Sequence, residues 1–180
     1  YMNKIKESLN NSVYGHEKAK KQIERIIGQW ITGEQGGYCF GFEGPPGLGK
    51  TATTLTIISE QFIGTTLIIA PKRVVETVWA QEALKWNHLK HLRISKVLGT
   101  PSQRLHAIST DSDIYIVKLE NVVWLMEQCP NFQNLVIDES SRFKDPSTKR
   151  FKALKKHLKG FKRRIILTGT PTPQGMGDLW

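Results

Sequence analysis

The sequence predicts an α/β fold, a parallel sheet with helices on both faces, and three observations carry that prediction. Short apolar runs alternate with amphipathic stretches along most of the chain, and strands separated by helices pair in parallel. Glu43-Gly44-Pro45-Pro46-Gly47-Leu48-Gly49-Lys50-Thr51 fits the pattern G-x-x-x-x-G-K-[ST] directly after one apolar run. Leu135-Val136-Ile137, wholly apolar, runs straight into Asp138-Glu139, which places two acids where an open α/β sheet carries its chemistry.

With 180 residues the chain has room for one domain with a real core and hardly for two. Residues 1–37 read as an N-terminal helical segment and 38–180 as the core of that domain. The longest apolar runs are far too short to cross a bilayer, and Tyr1-Met2-Asn3-Lys4 lacks the apolar core of a signal peptide. Cys39 and Cys129 are isolated in apolar settings and the histidines have no ligand spacing. That usage suits buried thiols in a reducing compartment, cytoplasmic or nuclear, better than a disulfide or zinc site. A net charge of +10 and a pI near 9.7 favour a polyanionic partner, nucleic acid first, and the short apolar runs predict no membrane partner.

Residues 1–12 are mostly polar and read as a frayed lead-in. From His16, apolar residues at Ala19, Ile23, Ile26, Ile27, Trp30 and Ile31 keep helical spacing, with Lys18, Lys20, Lys21, Glu24 and Arg25 opposite. Thr32 to Gly37 ends that helix. Tyr38–Phe42 is the strand before the glycine-rich turn, and Thr51–Ile58 the helix after it. Leu67–Ala70 is a strand stopped by Pro71, and Val75, Val78, Trp79, Ala83 and Trp86 mark one face of the next helix. Leu92–Leu98 reads as a strand. Thr100, Pro101 and Gln103 then have the spacing of a capping box with proline in the first turn. Asp113–Val117 is a strand, followed by a helix through Val122, Val123, Leu125 and Met126. Beyond the acids, Asp145-Pro146 caps a basic helix that turns Phe151, Leu154 and Leu158 inward, and Arg164–Thr168 is the last strand.

The glycine-rich turn makes an anion site because its backbone N–H groups and the positive end of the helix dipole point at one place. Gly44, Pro45, Pro46, Gly47, Leu48, Gly49, Lys50, Thr51 and Ala52 are the candidate phosphate-binding residues. Lys50 adds a point charge for the outer phosphates, and the Thr51 hydroxyl can ligate Mg²⁺. Asp138 can hold the Mg²⁺ shell while Glu139 orients and deprotonates an attacking water. Thr168, Gly169 and Thr170 close the last strand, where hydroxyls can sense the phosphate state; an ordinary Thr-Gly-Pro turn has the same composition. Pro71, Lys72 and Arg73 put two cations at the end of another strand, within reach of a nucleic-acid phosphate. Lys149, Arg150, Lys152, Lys155, Lys156 and Lys159 line the outer side of the basic helix, where cations also stand without any partner.

Taken together, GLGKT (Gly47–Thr51), LIIAPKRVVETVW (Leu67–Trp79), VIDESSRFK (Val136–Lys144) and LTGTPTPQGMGDLW (Leu167–Trp180) resemble the first motor domain of superfamily 2 helicases and translocases of the Swi/Snf type. The resemblance implies a RecA-like P-loop NTPase fold that binds ATP at Lys50 and Thr51. It places Mg²⁺ and hydrolysis at Asp138 and Glu139, coupling to DNA at Thr168–Thr170, and strand contact near Pro71–Arg73. Such motors need a second RecA-like domain, or a neighbouring subunit, to supply an arginine finger. The chain stops at Trp180 with room for neither, so it reads as the first half of a motor, weak as an ATPase by itself.

The first fifty residues depart from that pattern. Val13-Tyr14-Gly15-His16-Glu17-Lys18-Ala19-Lys20 and the proline-rich turn resemble AAA+ ATPases, in which Tyr14 and Gly15 would border the adenine. A fusion, a divergent viral motor and an artificial recombination all fit this seam. An oligomeric AAA+ module and a nucleic-acid-binding module without turnover stay open as alternative functions.

Overall fold

Each of the first five strands is followed by a helical crossover, so successive strands return in the same direction, and every strand pairing among the described residues is parallel. The computed structural model describes residues 2–12, 14–15, 17–32, 39–43, 49–128, 131–139, 145 and 147–169. Its elements run α1 (Met2–Ser12), α2 (Glu17–Thr32), β1 (Cys39–Glu43), α3 (Lys50–Gln61), β2 (Thr66–Ala70), α4 (Trp79–Lys85), β3 (Ile94–Val97), α5 (Pro101–Ser109), β4 (Ile114–Lys118), α6 (Val122–Glu127), β5 (Asn134–Ile137), α7 (Lys149–His157) and β6 (Arg163–Thr168). They form a 6-stranded sheet in the order β1-β6-β5-β2-β4-β3.

Alternation along the strands sends side chains to two cores. Ile68, Ala70, Ile114, Ile116, Val136, Ile165 and Leu167 meet Leu55 and Ile58 of α3 and Trp79 and Ala83 of α4. Leu67, Ile69, Tyr115, Val117, Leu135 and Ile137 face the other way, onto Val122 and Leu125 of α6 and Phe151 and Leu154 of α7. Both faces are covered, which is why the central strands read as continuous apolar runs rather than as polar–apolar alternation. The capping box at α5 forms as its spacing predicts: Thr100 Oγ1 accepts from Gln103 N–H, and Gln103 Oε1 accepts from Thr100 N–H at 2.8 Å.

Three expectations need correction. Residues 1–12 are not a frayed lead-in: Met2–Ser12 is helical, touches α2 and α3, and buries Leu9 to 1% exposure beside Ile23 and Ile27. Averaged polarity hides a helix whose docking rests on so few apolar positions. In the helix after β2, Val75, Trp79 and Ala83 are buried but Val78 is 37% exposed. Val74–Val78 is a π-helical turn, and its wider winding rotates Val78 away from the face that a 3.6-residue period assigns it. The cap of α7 is Thr148, whose side chain accepts from Phe151 N–H, while Asp145 accepts from Ser147 N–H in a turn one step earlier.

The sheet order gathers the candidate site. The carboxyl ends of β1, β6, β5 and β2 are consecutive along one edge, with Glu43 level with Thr168 and Ile137 level with both Ile166 and Ile69. The lead-in to the glycine-rich turn, the Thr168–Gly169 end, the acid pair and Pro71–Arg73 therefore stand side by side.

Candidate functional site

Helix α3 begins at Lys50 behind an N-cap, Gly49, held at φ +72° with no side-chain capping hydrogen bond. A side chain at such a φ costs about 1–2 kcal/mol, so the turn into the helix asks for glycine. Lys50 and Thr51 occupy the first helical turn, half-buried, and Ala52 is buried. The helix carries threonines into the core because their hydroxyls are satisfied locally: Thr54 Oγ1 donates to Lys50 O at 2.8 Å and Thr56 Oγ1 to Ala52 O at 2.9 Å. An N-terminus with no side-chain cap, a positive dipole end and a lysine in its first turn suits an anion. Gly44, Pro45, Pro46, Gly47 and Leu48 lie outside the described residues.

Asp138 continues the β5–β2 ladder, its N–H donating to Ile69 O at 2.8 Å. Its two carboxylate oxygens are held separately: Oδ1 accepts from Glu139 N–H at 3.0 Å, and Oδ2 accepts from the Trp79 indole N–H at 3.2 Å. Burial raises the Asp138 carboxyl above the usual carboxylate range; the Trp79 bond opposes that shift, the charge of Glu139 adds to it and Lys50 offsets part of it. Glu139 sits at φ +56°, the only non-glycine residue at positive φ among the described residues. Its carboxylate lies over Gly169, where an added Cβ would come within 3.6 Å of Oε1. The strained backbone thus carries the second acid onto the end of β6, rather than leaving it extended along β5.

These groups line one cleft of about 420 Å³. Its floor is Gly49 to Ala52, Asp138, Glu139 and Gly169; its far wall is Val74 and Val78 of the π-helical turn with Glu82 and Lys85 of α4. Burial alone would raise Glu82, but hydrogen bonds from Lys85 (2.7 Å) and Trp86 (3.1 Å) hold it below its ordinary value. The donor set fits Mg²⁺: hard oxygens from Asp138 and the Thr51 hydroxyl face one volume, beside a lysine and a helix N-terminus that would take the ion's phosphate partners. No group of three or more His, Cys, Asp or Glu among the described residues forms a closed metal cage, and Mg²⁺ ordinarily keeps water and substrate oxygens instead of one.

The structure brings Lys50, Thr51, Asp138, Glu139 and Gly169 together. Thr168 is buried at the end of β6, and Thr170 lies outside the described residues. Lys72 and Arg73 are exposed at the end of β2, with Lys72 3.7 Å from Glu76 and Pro71 O accepting from the N–H groups of Val74 and Val75. Tyr14 is 100% exposed between α1 and α2, Gly15 has φ +72°, and neither lines the cleft. Sequence reasoning gave Trp79 only a core role; its position in LIIAPKRVVETVW was the available signal, but not its bond to Asp138. No described helix is long and apolar enough to cross a membrane.

Known proteins resemble this chain. The family model for SNF2-related domains matches residues 43–180. Protein p41 of Acyrthosiphon pisum secondary endosymbiont phage 1 is 36% identical over 148 residues, 74% of this chain and 32% of p41. A Lon protease homologue of Acanthamoeba polyphaga mimivirus is 42% identical over 52 residues, 28% of this chain and 5% of its own length. The Sulfolobus solfataricus SWI2/SNF2 ATPase core in complex with dsDNA matches 94% of this chain and 35% of its own chain, with a TM-score of 0.66 and 27% identity. This chain thus spans about a third of the phage protein and of the Sulfolobus core. The sheet has the RecA-like fold of that core. With the helix N-terminus, the acid pair and the β6 end on one edge of such a sheet, and the family model running through all three, the chain belongs to the SNF2-related domain family.

Proposed function

We propose that this chain is the ATP-binding and hydrolysing motor domain of a DNA helicase or translocase, the first of two. The observation that carries this reading is the cleft in which Lys50 and Thr51, on a helix start that no side chain caps, meet Asp138 and Glu139. Gly44 to Ala52 cradle the phosphates, with Lys50 on the outer ones. Thr51 and Asp138 hold Mg²⁺, which when bound neutralises charge on the phosphate oxygens. Glu139 orients the attacking water and takes its proton. Thr168, Gly169 and Thr170 couple the nucleotide to movement, and Pro71, Lys72 and Arg73 contact DNA. The Sulfolobus core's complex with dsDNA supports that choice of partner. Residues 38–180 are the RecA-like core, and 1–37 a helical segment docked on it through Leu9, Ile23 and Ile27.

An arginine finger from a second domain is worth about 10³–10⁵ in rate for comparable phosphoryl-transfer enzymes. The chain alone should therefore bind Mg²⁺·ATP, hydrolyse it slowly and not unwind DNA. Hydrolysis measured with and without duplex and single-stranded DNA, on this chain and on one joined to a second motor domain, tests this. Robust DNA-stimulated turnover by this chain alone would refute it. Lys50→Ala should abolish nucleotide binding, and Glu139→Gln should trap ATP, whereas in a binding module without turnover Glu139→Gln should change nothing.

A second reading, an AAA+ module acting as an oligomer with Tyr14 and Gly15 bordering the adenine, rests on the resemblance of Val13 to Lys20 and of the proline-rich turn. Nucleotide-dependent ring formation in light scattering would favour it.

A further inference from the structure

Some of the chain's cations are answered by carboxylates. Lys20 pairs with Glu17 at 3.2 Å, Lys72 with Glu76 at 3.7 Å, Lys85 with Glu82 at 2.7 Å, and Arg93 with both Asp111 and Asp113. The lysines of helix α7 are not among them. Its inward side is occupied by Phe151 and Leu154, and Lys149, Lys152, Lys155, Lys156 and Lys159 are all exposed. None of these lysines forms an ion pair among the described residues, and the sequence from Ser147 to Gly169 contains no Asp or Glu.

Placement sharpens the contrast. Lys149, Lys152, Lys156 and Lys159 follow at i, i+3, i+7 and i+10, which stacks them in one stripe along the outer side. Like charges at such spacings repel. The first turn of α7 holds no acid but does hold Lys149 and Arg150, where the helix dipole also opposes a cation. A face serving only solubility gains nothing from this arrangement, since interleaved acids would hydrate it equally well without the repulsion. A polyanion lying along the stripe removes the repulsion. From Lys149 to Lys159 the helix and the 3₁₀ turn that follows it rise about 15 Å. One strand of a duplex presents a phosphate about every 3.4 Å of axis, so the stripe matches about four phosphates.

We infer that the outward stripe of α7 is a second nucleic-acid docking surface, which takes the phosphate backbone of duplex DNA without reading sequence. It lies on the sheet face opposite α3 and α4, apart from the contact proposed at Pro71–Arg73. It does not depend on nucleotide hydrolysis and would hold if the chain turned over no ATP. A surface of this kind would keep the domain on its track while the first contact releases and rebinds.

The test is fluorescence anisotropy of the full chain with a 20-base-pair duplex across a salt series. The variant K149Q/K152Q/K156Q/K159Q changes only exposed side chains, so its circular dichroism and its binding of a fluorescent ATP analogue should match the parent. Losing three to four phosphate contacts should flatten the slope of log K against log salt by about 3 and weaken binding about tenfold or more at 100 mM salt. The corresponding four-fold Lys→Arg variant should retain the parental slope. The loss should persist in a Lys50→Ala background, which separates this surface from the nucleotide site. An unchanged slope in the glutamine variant would overturn the inference. So would loss of binding to vesicles of anionic phosphatidylserine, or to an acidic peptide, with duplex binding left intact.

Discussion

Helices α4 and α7 are both short and amphipathic and cover opposite faces of one sheet, yet they treat their polar sides in opposite ways. On α4 the polar residues are tied to the protein: Lys85 and Trp86 both donate to Glu82, and Trp79, fully buried, donates to Asp138. On α7 the apolar side is equally settled, by Phe151 and Leu154, while the lysines opposite form no ion pair among the described residues. Packing fixes one side of a surface helix and leaves the other to be spent. Here α4 spends it on a wall of the cleft, and α7 keeps it as free positive charge.

The comparison can be broken at either helix, most strongly at Trp79. Trp79→Ala should cost about 3–5 kcal/mol in urea unfolding, because it empties a fully buried site under α3 and β2. Trp79→Phe keeps most of the volume but deletes the donor to Asp138. It should cost about 1–3 kcal/mol by the same measurement and weaken Mg²⁺-dependent nucleotide binding more than metal-free binding. On α7, Thr148→Ala removes the N-cap and should cost about 0.5–2 kcal/mol.

Charge substitutions should then act with opposite signs on the two helices. Lys152→Glu places an acid one turn before Lys155 and Lys156 and should stabilise the chain by a few tenths of a kcal/mol, read as a raised melting temperature. Lys85→Gln breaks an answered pair and should lower stability by about 0–1 kcal/mol. The smallest effect should be one of pH. The hydrogen bond from Arg93 holds Asp113 below its ordinary value, against a smaller contribution from burial. A depressed folded-state value gives stability that is present above the unfolded carboxylate range and lost as pH falls through the folded one. Asp113→Asn should flatten the acid limb of the stability–pH profile.

Much of this was legible because the sequence states it locally. Strands β2, β4 and β5 are buried on both faces, so each announces itself as an apolar run. Lys50, Thr51, Asp138 and Glu139 stand at element ends, where a parallel sheet collects its chemistry whatever the strand order. What local pattern could not carry was the third dimension. Leu9 is one apolar position in a polar stretch, and only its docking beside Ile23 and Ile27 gives it meaning. Trp79 and Asp138 lie 59 residues apart, a distance that periodicity does not bridge. The αL backbone of Glu139 has no sequence signature, since a glutamate avoids that region unless its surroundings impose it.

The π-helical turn at Val74–Val78 has a further consequence for how this surface can vary. A wide turn holds one residue more than the α-helix it interrupts, so it marks a place where the chain's length can change by one, provided that Val75 stays seated in the core. Deleting a residue there should leave Trp79 and Ala83 seated, while swinging Lys72 and Arg73 about 100° around the helix axis. Such a length change would re-aim the pair of cations at the end of β2 without altering a single buried side chain of α4. The turn is thus a built-in joint for tuning the angle of one edge of the domain, and through Val74 and Val78 it moves a wall of the cleft with it.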